Sequence, residues 1–395
     1  MLKDRAVTVL GAGVAGLAVA RALGLRGARV TVLEQAPAIR EVGAGLQISP
    51  NGGRVLQALG LGEALAAASQ RSAAVALIDG QTGAPVLRLP LDGGAGRSGP
   101  AGEGFRLIHR ADLIAMLAEG ARAAGAEIRL DTRVEAVGLG DHPPRLTLAG
   151  GEITEAALLI GADGLHSPVR RALNGTVAPF FTHQVAWRAT LPADPGIAAE
   201  ARVYLGPGRH VVTYPLRGGS LRNLVAVEER RNWAEESWSL TDDPLALRIA
   251  FQDFLPEVRG WLDRIERPNL WGLFRHPVAR RWHGQGAAIL GDAAHPTLPF
   301  LAQGANMALE DAWVLAAALD AGPPAEAFAA YQERREARAA RIVAAANANA
   351  RNYHLTGIRR DIAHAGLRLA GRLAPERMLA RFDWLYRHDV TADRG

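Results

Sequence analysis

The sequence predicts an α/β protein with an α+β insertion. Residues 7–34 show an apolar strand, a glycine turn, an alanine- and leucine-rich helix and a second apolar strand, which is the βαβ unit of a doubly wound sheet. The middle third instead shows short strands between glycine-rich turns, typical of a mostly antiparallel sheet. Beyond Gly322 the pattern is helical, with one predicted break near Ala374 and Pro375. We therefore expect a Rossmann-like domain, an inserted sheet domain and C-terminal helices.

These changes of pattern also predict domain boundaries. The Rossmann-like domain is assigned residues 1–75, 105–180 and 278–320, the inserted sheet domain residues 76–104 and 181–277, and the helical region residues 321–395. Within the first segment we expect Asn51 to cap the helix that follows it. The glycine-rich stretch 92–104 is predicted to be an exposed loop.

Composition excludes several classes of protein. Of 395 residues, 49% are hydrophobic and 22% are charged, values that are ordinary for a globular protein. No apolar run approaches the ~20 residues of a membrane span, so we expect no membrane partner. The first strand begins so early that we expect no signal peptide and a cytoplasmic location. Because there is no cysteine, disulfides, thiolate zinc sites and a redox-active CxxC pair are excluded.

The basic residues are almost all arginine. The formal charge is +5, and Lys3 is the only lysine, which argues against Schiff-base chemistry. The arginines are interleaved with acids, as in residues 333–336, and no basic run carries aromatic residues, so we expect no nucleic-acid partner. A modest attraction for anionic small molecules is the natural consequence of this charge.

Three glycines and one acid in the first βαβ unit predict dinucleotide binding. Gly11 permits a tight turn, Gly13 lets the backbone approach a pyrophosphate, and Gly16 lets the helix pack closely on the strand. The helix N-terminus adds unpaired N–H groups and a positive dipole end. Glu34 ends the second strand and is placed to bind a ribose 2′-hydroxyl. The motif therefore predicts FAD or NAD rather than NADP, without choosing between the first two.

Two further glycine-containing turns each follow a buried strand. Asp163 follows the apolar run 156–160, and Asp292 follows the run 287–290. In a doubly wound sheet such strand ends converge on one crevice, where ligands bind. Either aspartate could instead serve only to form its turn.

Together these motifs resemble the single-component (class A) flavoprotein aromatic hydroxylases, which share the para-hydroxybenzoate-hydroxylase fold. The resemblance is greatest to the salicylate and 3-hydroxybenzoate hydroxylase branch and spans nearly the whole chain. It rests on the blocks GAGVAG (11–16) with Glu34, EVGAGLQISPN (41–51), HRADL (109–113), GADGLHSPVR (161–170), GDAAHPTLPFLAQGANMALEDA (291–312) and WLYRHDV (384–390). One departure is Gly43, which stands where the family's type member has an arginine.

The resemblance implies that the Rossmann-like domain binds FAD non-covalently and that NADH or NADPH serves as co-substrate. NAD(P)H has no Rossmann domain of its own in this family, so one glycine motif suffices. A helix N-terminus at residues 304–306 would face the edge of the flavin ring that becomes negative on reduction. The implied cofactor-binding residues are Gly11, Gly13, Ala15, Gly16, Glu34, Leu46, Gln47, Arg110, Val134, Asp163, Asp292, Gly304, Ala305 and Asn306.

The resemblance also implies a reaction. Reduced FAD would react with O₂ to give a C4a-hydroperoxide, whose terminal oxygen is transferred to an activated ring. The substrate would be a small phenolic or N-heteroaromatic acid of the salicylate or hydroxybenzoate type, bound in the sheet domain. Monomer and homodimer are both compatible with the sequence. Alternatives are a same-fold epoxidase, a polyketide-tailoring oxygenase, an isoprenoid reductase, or a dinucleotide-binding protein without catalysis.

Candidate catalytic residues lie in the sheet domain and before the last glycine turn. His210 and Tyr214 share one face of a predicted strand, where the histidine could act as a base near neutral pH. Gln303 could face the substrate or merely shape its loop. Arg188 could pair with a substrate carboxylate or form an ordinary salt bridge, and His295 is predicted to stabilise the turn after Asp292. The remaining histidines lack a second ligand at suitable spacing, so we expect no metal.

Overall fold

The computed structural model describes residues 2–39, 45–91, 104–230 and 241–392. Gly43 and nearly all of the predicted loop 92–104 lie outside these ranges. In the described ranges no helix combines the length and the apolar character that crossing a membrane requires.

The strands fall into two large and two small sheets. In chain order they are β1 Ala6–Leu10, β2 Arg29–Leu33, β3 Gly45–Ile48, β4 Ser69–Arg71, β5 Ala74–Asp79, β6 Pro85–Pro90, β7 Arg106–His109, β8 Glu127–Arg129, β9 Val134–Gly138, β10 Arg145–Leu148, β11 Ile153–Glu155, β12 Leu159–Gly161, β13 Phe180–Pro192, β14 Glu200–Gly206, β15 Arg209–Leu216, β16 Leu221–Glu229, β17 Asn269–Arg275, β18 His283–Gly284 and β19 Ala287–Ile289.

The helices flank the sheets and form the C-terminal region. They are α1 Val14–Gly24, α2 Pro50–Ala58, α3 Gly62–Ala68, α4 Arg110–Ala123, α5 Pro168–Asn174, α6 Pro244–Ala250, α7 Pro256–Asp263, α8 Gly304–Ala321, α9 Pro324–Tyr353, α10 Gly357–Leu373, α11 Pro375–Ala380 and α12 Asp383–Tyr386. The predicted break at Pro375 is present, and two further breaks that are not predicted from the sequence follow Tyr353 and Ala380.

The first large sheet has the order β18-β19-β12-β1-β2-β8 and is parallel except for β18. Its central strands are apolar throughout, because helices cover both faces of a parallel sheet. Helix α1 packs against α4 and α8 over this sheet. The α/β fold expected from the sequence is confirmed.

The three glycine-containing turns follow neighbouring strands of this sheet. β12 lies between β1 and β19, and all three strands run in the same direction. A Cβ added to Gly11 would lie 2.6 Å from the carbonyl oxygen of Ala162, and one added to Gly291 would lie 3.0 Å from the Cβ of Ala15. The turns are therefore in direct contact, as the sequence predicts.

The second large sheet has the order β17-β13-β16-β15-β14-β5-β6 and is antiparallel except for the β14–β5 pair. Its strands come from both segments that the sequence assigns to the inserted domain. On one face Trp187 and Tyr204 pack with α6 and α7. On the other face Ala186 and Val227 pack with Phe300, which lies next to α8 in the chain. That second face is therefore turned toward the Rossmann-like domain.

A buried group of charges joins α8 to α9. Arg335 lies 2.6 Å from Glu310 and 2.8 Å from Asp311, and all three side chains are inaccessible to solvent. His295 lies 2.5 Å from Asp311, which also accepts a hydrogen bond from the backbone N–H of Gly291 (3.0 Å). Burial alone would raise the pKa of Asp311, but His295 and Arg335 outweigh it and lower the pKa to about 2. As predicted, His295 braces the turn that contains Asp292.

The cap of α2 differs from the prediction. Ser49 occupies the N-cap position with Pro50 after it, and Asn51 lies inside the helix. The Asn51 side chain is buried and donates hydrogen bonds to Glu310 (2.7 Å) and Gln303 (3.2 Å). Asparagine is preferred at N-caps. Here the hydrogen bonds of Asn51 to α8 and to the residue before that helix hold its side chain in the interior, and Ser49 takes the N-cap position.

We predict that Arg335→Met destabilises the protein by about 3–5 kcal/mol, because Glu310 and Asp311 would remain buried without a counter-charge. The measurement is the free energy of unfolding from urea titration. Arg334→Met is the matched control, since Arg334 is exposed on the same helix. Equal stability of the two variants would show that the buried ion pairs do not hold α9 in place.

Candidate active site

The first glycine turn leaves an open space in front of α1. Gly13 is the N-cap of this helix without any side-chain cap, and a Cβ added to it would have no atom within 4 Å. A Cβ on Gly16 would overlap the carbonyl oxygen of Gly11, so close packing demands glycine there. Glu34 accepts hydrogen bonds from the backbone N–H groups of Ala12 (2.7 Å) and Ala36 (2.9 Å). Its carboxylate is thereby fixed beside the turn.

The second and third turns place two carboxyl groups at the same sheet edge, and the start of α4 brings one guanidinium group to them. Burial raises the pKa of Asp163 to about 6, although Ser167 and nearby backbone N–H groups oppose the rise. Burial also raises the pKa of Asp292, and the nearby His295 and Arg110 side chains oppose this. Asp292 is nevertheless exposed to solvent, as expected of a side chain that lines the crevice at the strand ends. Arg110 is the first residue of α4. Burial lowers the pKa of its guanidinium group, and the nearby carboxyl group of Asp292 opposes this by favouring the charged form.

The N-terminus of α8 is tied to β3 by one side chain. Asn306 accepts a hydrogen bond from the backbone N–H of Ser49 (3.0 Å) and donates one to the carbonyl oxygen of Gln47 (3.1 Å). A Cβ on Gly52 would overlap the amide oxygen of Asn306, which explains the glycine in α2. Leu46 and Gln47 are thus held beside the helix N-terminus, whereas Gly304 and Ala305 stay partly accessible.

The Gln303 side chain points into the protein rather than toward an open cavity. It is 2% exposed, its oxygen accepts a hydrogen bond from Asn51, and its nitrogen donates one to Ser49 (3.0 Å). These contacts favour the interpretation in which Gln303 shapes the loop before α8. They do not support direct contact with substrate.

Val134 lies at the start of β9, in a small sheet of its own with β10 and β11. Two residues earlier, Thr132 donates its backbone N–H to the carbonyl oxygen of Glu34 (2.8 Å). The segment containing Val134 therefore lies next to the end of β2, where the nucleotide end of a cofactor is expected.

The inner face of the seven-stranded sheet presents His210, Tyr214 and Arg188. His210 is 1% exposed, and its ring centroid lies 5.1 Å from that of Tyr353 and 5.6 Å from that of Phe300. Burial and the neighbouring His354 hold the pKa of His210 well below its usual range, so the imidazole is neutral.

Tyr214 connects this sheet face with β3. A Cβ on Gly45 would overlap the Tyr214 ring, so glycine permits the contact. Burial raises the pKa of Tyr214, which keeps its hydroxyl protonated and able to donate a hydrogen bond. Arg188 lies near enough for its charge to oppose that rise.

Sequence reasoning missed the residues that surround His210. Phe300, Tyr353 and His354 come from the loop before α8 and from the end of α9. No motif marks Tyr353 or His354, and their approach to β15 depends on where the long helix α9 ends.

The crevice fits a flavin dinucleotide. The space before Gly13 and the dipole ends of α1 and α8 suit a pyrophosphate and a reduced flavin ring. The carboxyl groups of Glu34 and Asp292 suit hydroxyl groups of ribose and ribitol. The residues also follow one continuous sheet edge, from the end of β2 to the turn after β19. Within the ranges that the structure describes, no cluster of histidine and carboxylate side chains could hold a metal ion.

Comparison with known families decides the assignment. A family model described as an FAD binding domain matches residues 4–346. The chain belongs to this FAD-binding family.

Relatives and solved structures agree with the family. The 3-amino-4-hydroxybenzoate 2-monooxygenase of Streptomyces cremeus is 40% identical over 364 residues, covering 89% of each chain. The 3-hydroxybenzoate 6-hydroxylase of Polaromonas naphthalenivorans is 35% identical over 403 residues, covering 98% of this chain and 97% of the relative. A salicylate hydroxylase substrate complex has the same fold, with a TM-score of 0.81, 24% identity, and coverage of 99% and 97%. This FAD-binding protein is a flavin-dependent monooxygenase, and the resemblance found in the sequence is confirmed.

We predict that Gly13→Ala weakens FAD binding at least about tenfold, because the new methyl group would occupy the space before α1. The backbone at Gly13 has φ −78°, which alanine adopts readily, so the apoprotein should lose no more than about 1 kcal/mol of stability. FAD titration by flavin fluorescence measures the affinity. Gly260→Ala serves as control, since its Cβ would also meet open space, far from the crevice. Unchanged FAD affinity in Gly13→Ala would contradict the assignment of this space.

Proposed function

We propose that this monooxygenase hydroxylates the ring of a small phenolic or N-heteroaromatic carboxylic acid, using O₂ and NADH or NADPH. The hydroxybenzoate substrates named for its relatives support this class. The observation that carries the proposal is that one sheet face presents a neutral histidine, a tyrosine hydroxyl and an arginine without a carboxylate partner among the described residues. We also propose a cytoplasmic enzyme that is monomeric or homodimeric.

Arg188 is the group that favours an acid. Burial, with a contribution from Arg110, lowers the pKa of Arg188 to about 10, so the guanidinium is still charged at neutral pH. It lies 4.9 Å from the centroid of the Trp271 ring. Among the residues that the structure describes, no carboxylate lies within ion-pair distance of it. A largely desolvated cation without an anionic partner is costly, and a substrate carboxylate would relieve that cost.

Arg188 also borders a surface cavity, which differs from the proposed substrate site. A cavity of about 360 Å³ is bordered by Arg188, Trp271 and Asn269. It includes neither His210 nor Asp292, so it lacks both the base and the cofactor side of the reaction. We therefore place the substrate between the sheet face and the crevice.

His210 is the proposed base. A phenol is a far better nucleophile as a phenolate, so removal of its proton prepares the ring for attack. His210 is neutral and therefore able to accept that proton. Tyr214, on the same strand face, is protonated and able to donate a hydrogen bond to a ring substituent. Gln303 is assigned a positioning role in the loop before α8.

When bound, FAD accepts a hydride from NAD(P)H and activates O₂, chemistry that no side chain can supply. The residues that would hold it are those of the three glycine-containing turns, with Glu34 at the nucleotide end, Asp292 at the ribitol and the start of α8 at the ring. The protein's own part is to exclude water, orient the aromatic acid and remove its proton. Phe300 and Tyr353 enclose His210 and so contribute to the exclusion of water.

The decisive experiment follows NADH and NADPH oxidation and O₂ uptake with a panel of hydroxybenzoates and hydroxynicotinates. We expect at least one of these acids to accelerate NAD(P)H oxidation and to gain one oxygen atom, as measured by mass spectrometry. If none does so while a larger ring, an alkene or an isoprenoid chain is converted, the proposed substrate class is wrong.

We predict that Arg188→Gln lowers kcat/KM for the aromatic acid by about 10–100-fold, because the substrate carboxylate would lose a hydrogen bond to a charged group. The matching aromatic amide, which carries no charge, should be affected far less. Arg264→Gln is the control, because Arg264 pairs with Asp194 (2.9 Å) at the exposed edge of the same domain. Equal losses for acid and amide would exclude Arg188 as the carboxylate receptor.

A further inference from the structure

A chain of three hydrogen-bonded side chains leads away from the proposed base. His210 Nδ1 lies 2.8 Å from His354 Nε2. The other ring nitrogen of His354, Nδ1, lies 2.9 Å from the Glu229 carboxylate. The chain therefore joins β15, the residue after α9, and the end of β16.

Two members of this chain are buried, and the third is exposed. His210 is 1% exposed, the His354 side chain is 1% exposed, and the Glu229 side chain is 53% exposed. Its inner end lies against Tyr353 and Phe300, on the sheet face where we place the substrate. Its outer end is in water. The three groups thus connect a closed interior to solvent.

We propose that His354 and Glu229 form a proton relay, which carries the proton that His210 takes from the substrate hydroxyl to solvent. This inference rests on the proposed function. Neither residue touches the ring, so both act through His210. The motifs that identify the family contain neither of them.

The physical need for a relay follows from the surroundings of His210. Burial and His354 hold the pKa of His210 well below its usual range, so this imidazole cannot keep an additional proton. Burial also lowers the pKa of His354, although Glu229 opposes the change. Two buried imidazoles that both disfavour charge can still pass a proton onward if each gains one proton and loses another.

The hydrogen bonds allow that transfer with balanced protons. Initially His210 Nδ1–H donates to His354 Nε2, and His354 Nδ1–H donates to Glu229. The substrate O–H bond breaks as His210 Nε2 gains a proton, and the Nδ1 proton moves to His354 Nε2. The Nδ1 proton of His354 then moves to Glu229, which releases it to water. The net result is a phenolate in the interior and one proton in solvent, with both imidazoles neutral.

Gln184 supplies a hydrogen-bond partner for His354 after its Nδ1 atom has lost the proton. Its amide nitrogen lies 3.1 Å from His354 Nδ1, the same atom that faces Glu229. When Nδ1 carries a proton it donates to the carboxylate, and when it has lost the proton it accepts from the amide. His354 therefore has a hydrogen-bond partner in both tautomers. A histidine with a purely structural role would need a partner for only one of them.

The test measures proton release directly. FAD-loaded enzyme is mixed rapidly, in weak buffer with a pH-indicator dye, with the hydroxybenzoate or hydroxynicotinate that the wild type turns over fastest. Absorbance of the bound substrate reports phenolate formation in the same experiment. For the wild type we expect one proton released in step with the phenolate.

For His354→Gln and Glu229→Gln we expect phenolate formation and proton release to slow at least about tenfold, within the usual range for general acid–base groups. Imidazole added to His354→Ala should restore part of the rate. FAD affinity and the flavin absorbance spectrum should remain within about twofold of the wild type. If the His354 variants fail to fold, Glu229→Gln at the exposed end still provides the test.

Two matched controls exist in the same chain. Glu228→Gln removes the adjacent carboxylate, which pairs with Arg230 (3.0 Å) instead of His354. His364→Gln removes another buried histidine of the C-terminal region, 3.6 Å from Asp79. Both should release the proton at the wild-type rate.

Relay and proposed function fail in distinguishable ways. If the wild type hydroxylates an aromatic acid but His354→Gln and Glu229→Gln release the proton at its rate, the relay is wrong and the function stands. Slowing of the two control variants to the same extent would also overturn the relay. If no aromatic acid is hydroxylated by the wild type, the proposed function itself fails.

Discussion

Three parallel strands that lie side by side determine most of this structure. Because β1, β12 and β19 are adjacent and run in one direction, the turns that follow them must meet at one edge. Contact between the first two turns is so close that glycine is required at residue 11, and the packing of α1 on the first turn requires glycine at residue 16. Carboxyl groups, a guanidinium group and helix N-termini that are far apart in the sequence thereby line one crevice.

Helices α8 and α9 connect this edge of the first sheet to the second sheet. The ion pairs of Arg335 with Glu310 and Asp311 fix α8 to α9, and Asn306 fixes the start of α8 to β3. The same helix α9 ends beside His210, so the element that braces the cofactor side also closes the substrate side. Cofactor crevice and sheet face are therefore positioned by shared contacts.

Local patterns predict a large part of this arrangement. Glycine spacing, buried apolar runs and a terminal acid are properties of short segments, so the amino-acid sequence alone identifies the first βαβ unit and the converging turns. It does not identify partners that are distant along the chain. His354 lies 144 residues from His210, and Gln303 points inward because Asn51 and Ser49 approach from α2. The same tertiary contact places Ser49 rather than Asn51 at the cap of α2.

The most direct test of this account is an X-ray structure of the protein crystallised with FAD. We expect the pyrophosphate at the N-terminus of α1 beside Gly13, the ribitol within hydrogen-bond distance of Asp292, and the flavin ring at the start of α8. The ring should face the sheet surface that carries His210 and Arg188. Flavin bound elsewhere, or with its ribitol out of reach of Asp292, would contradict the claim that the three turns form the cofactor site.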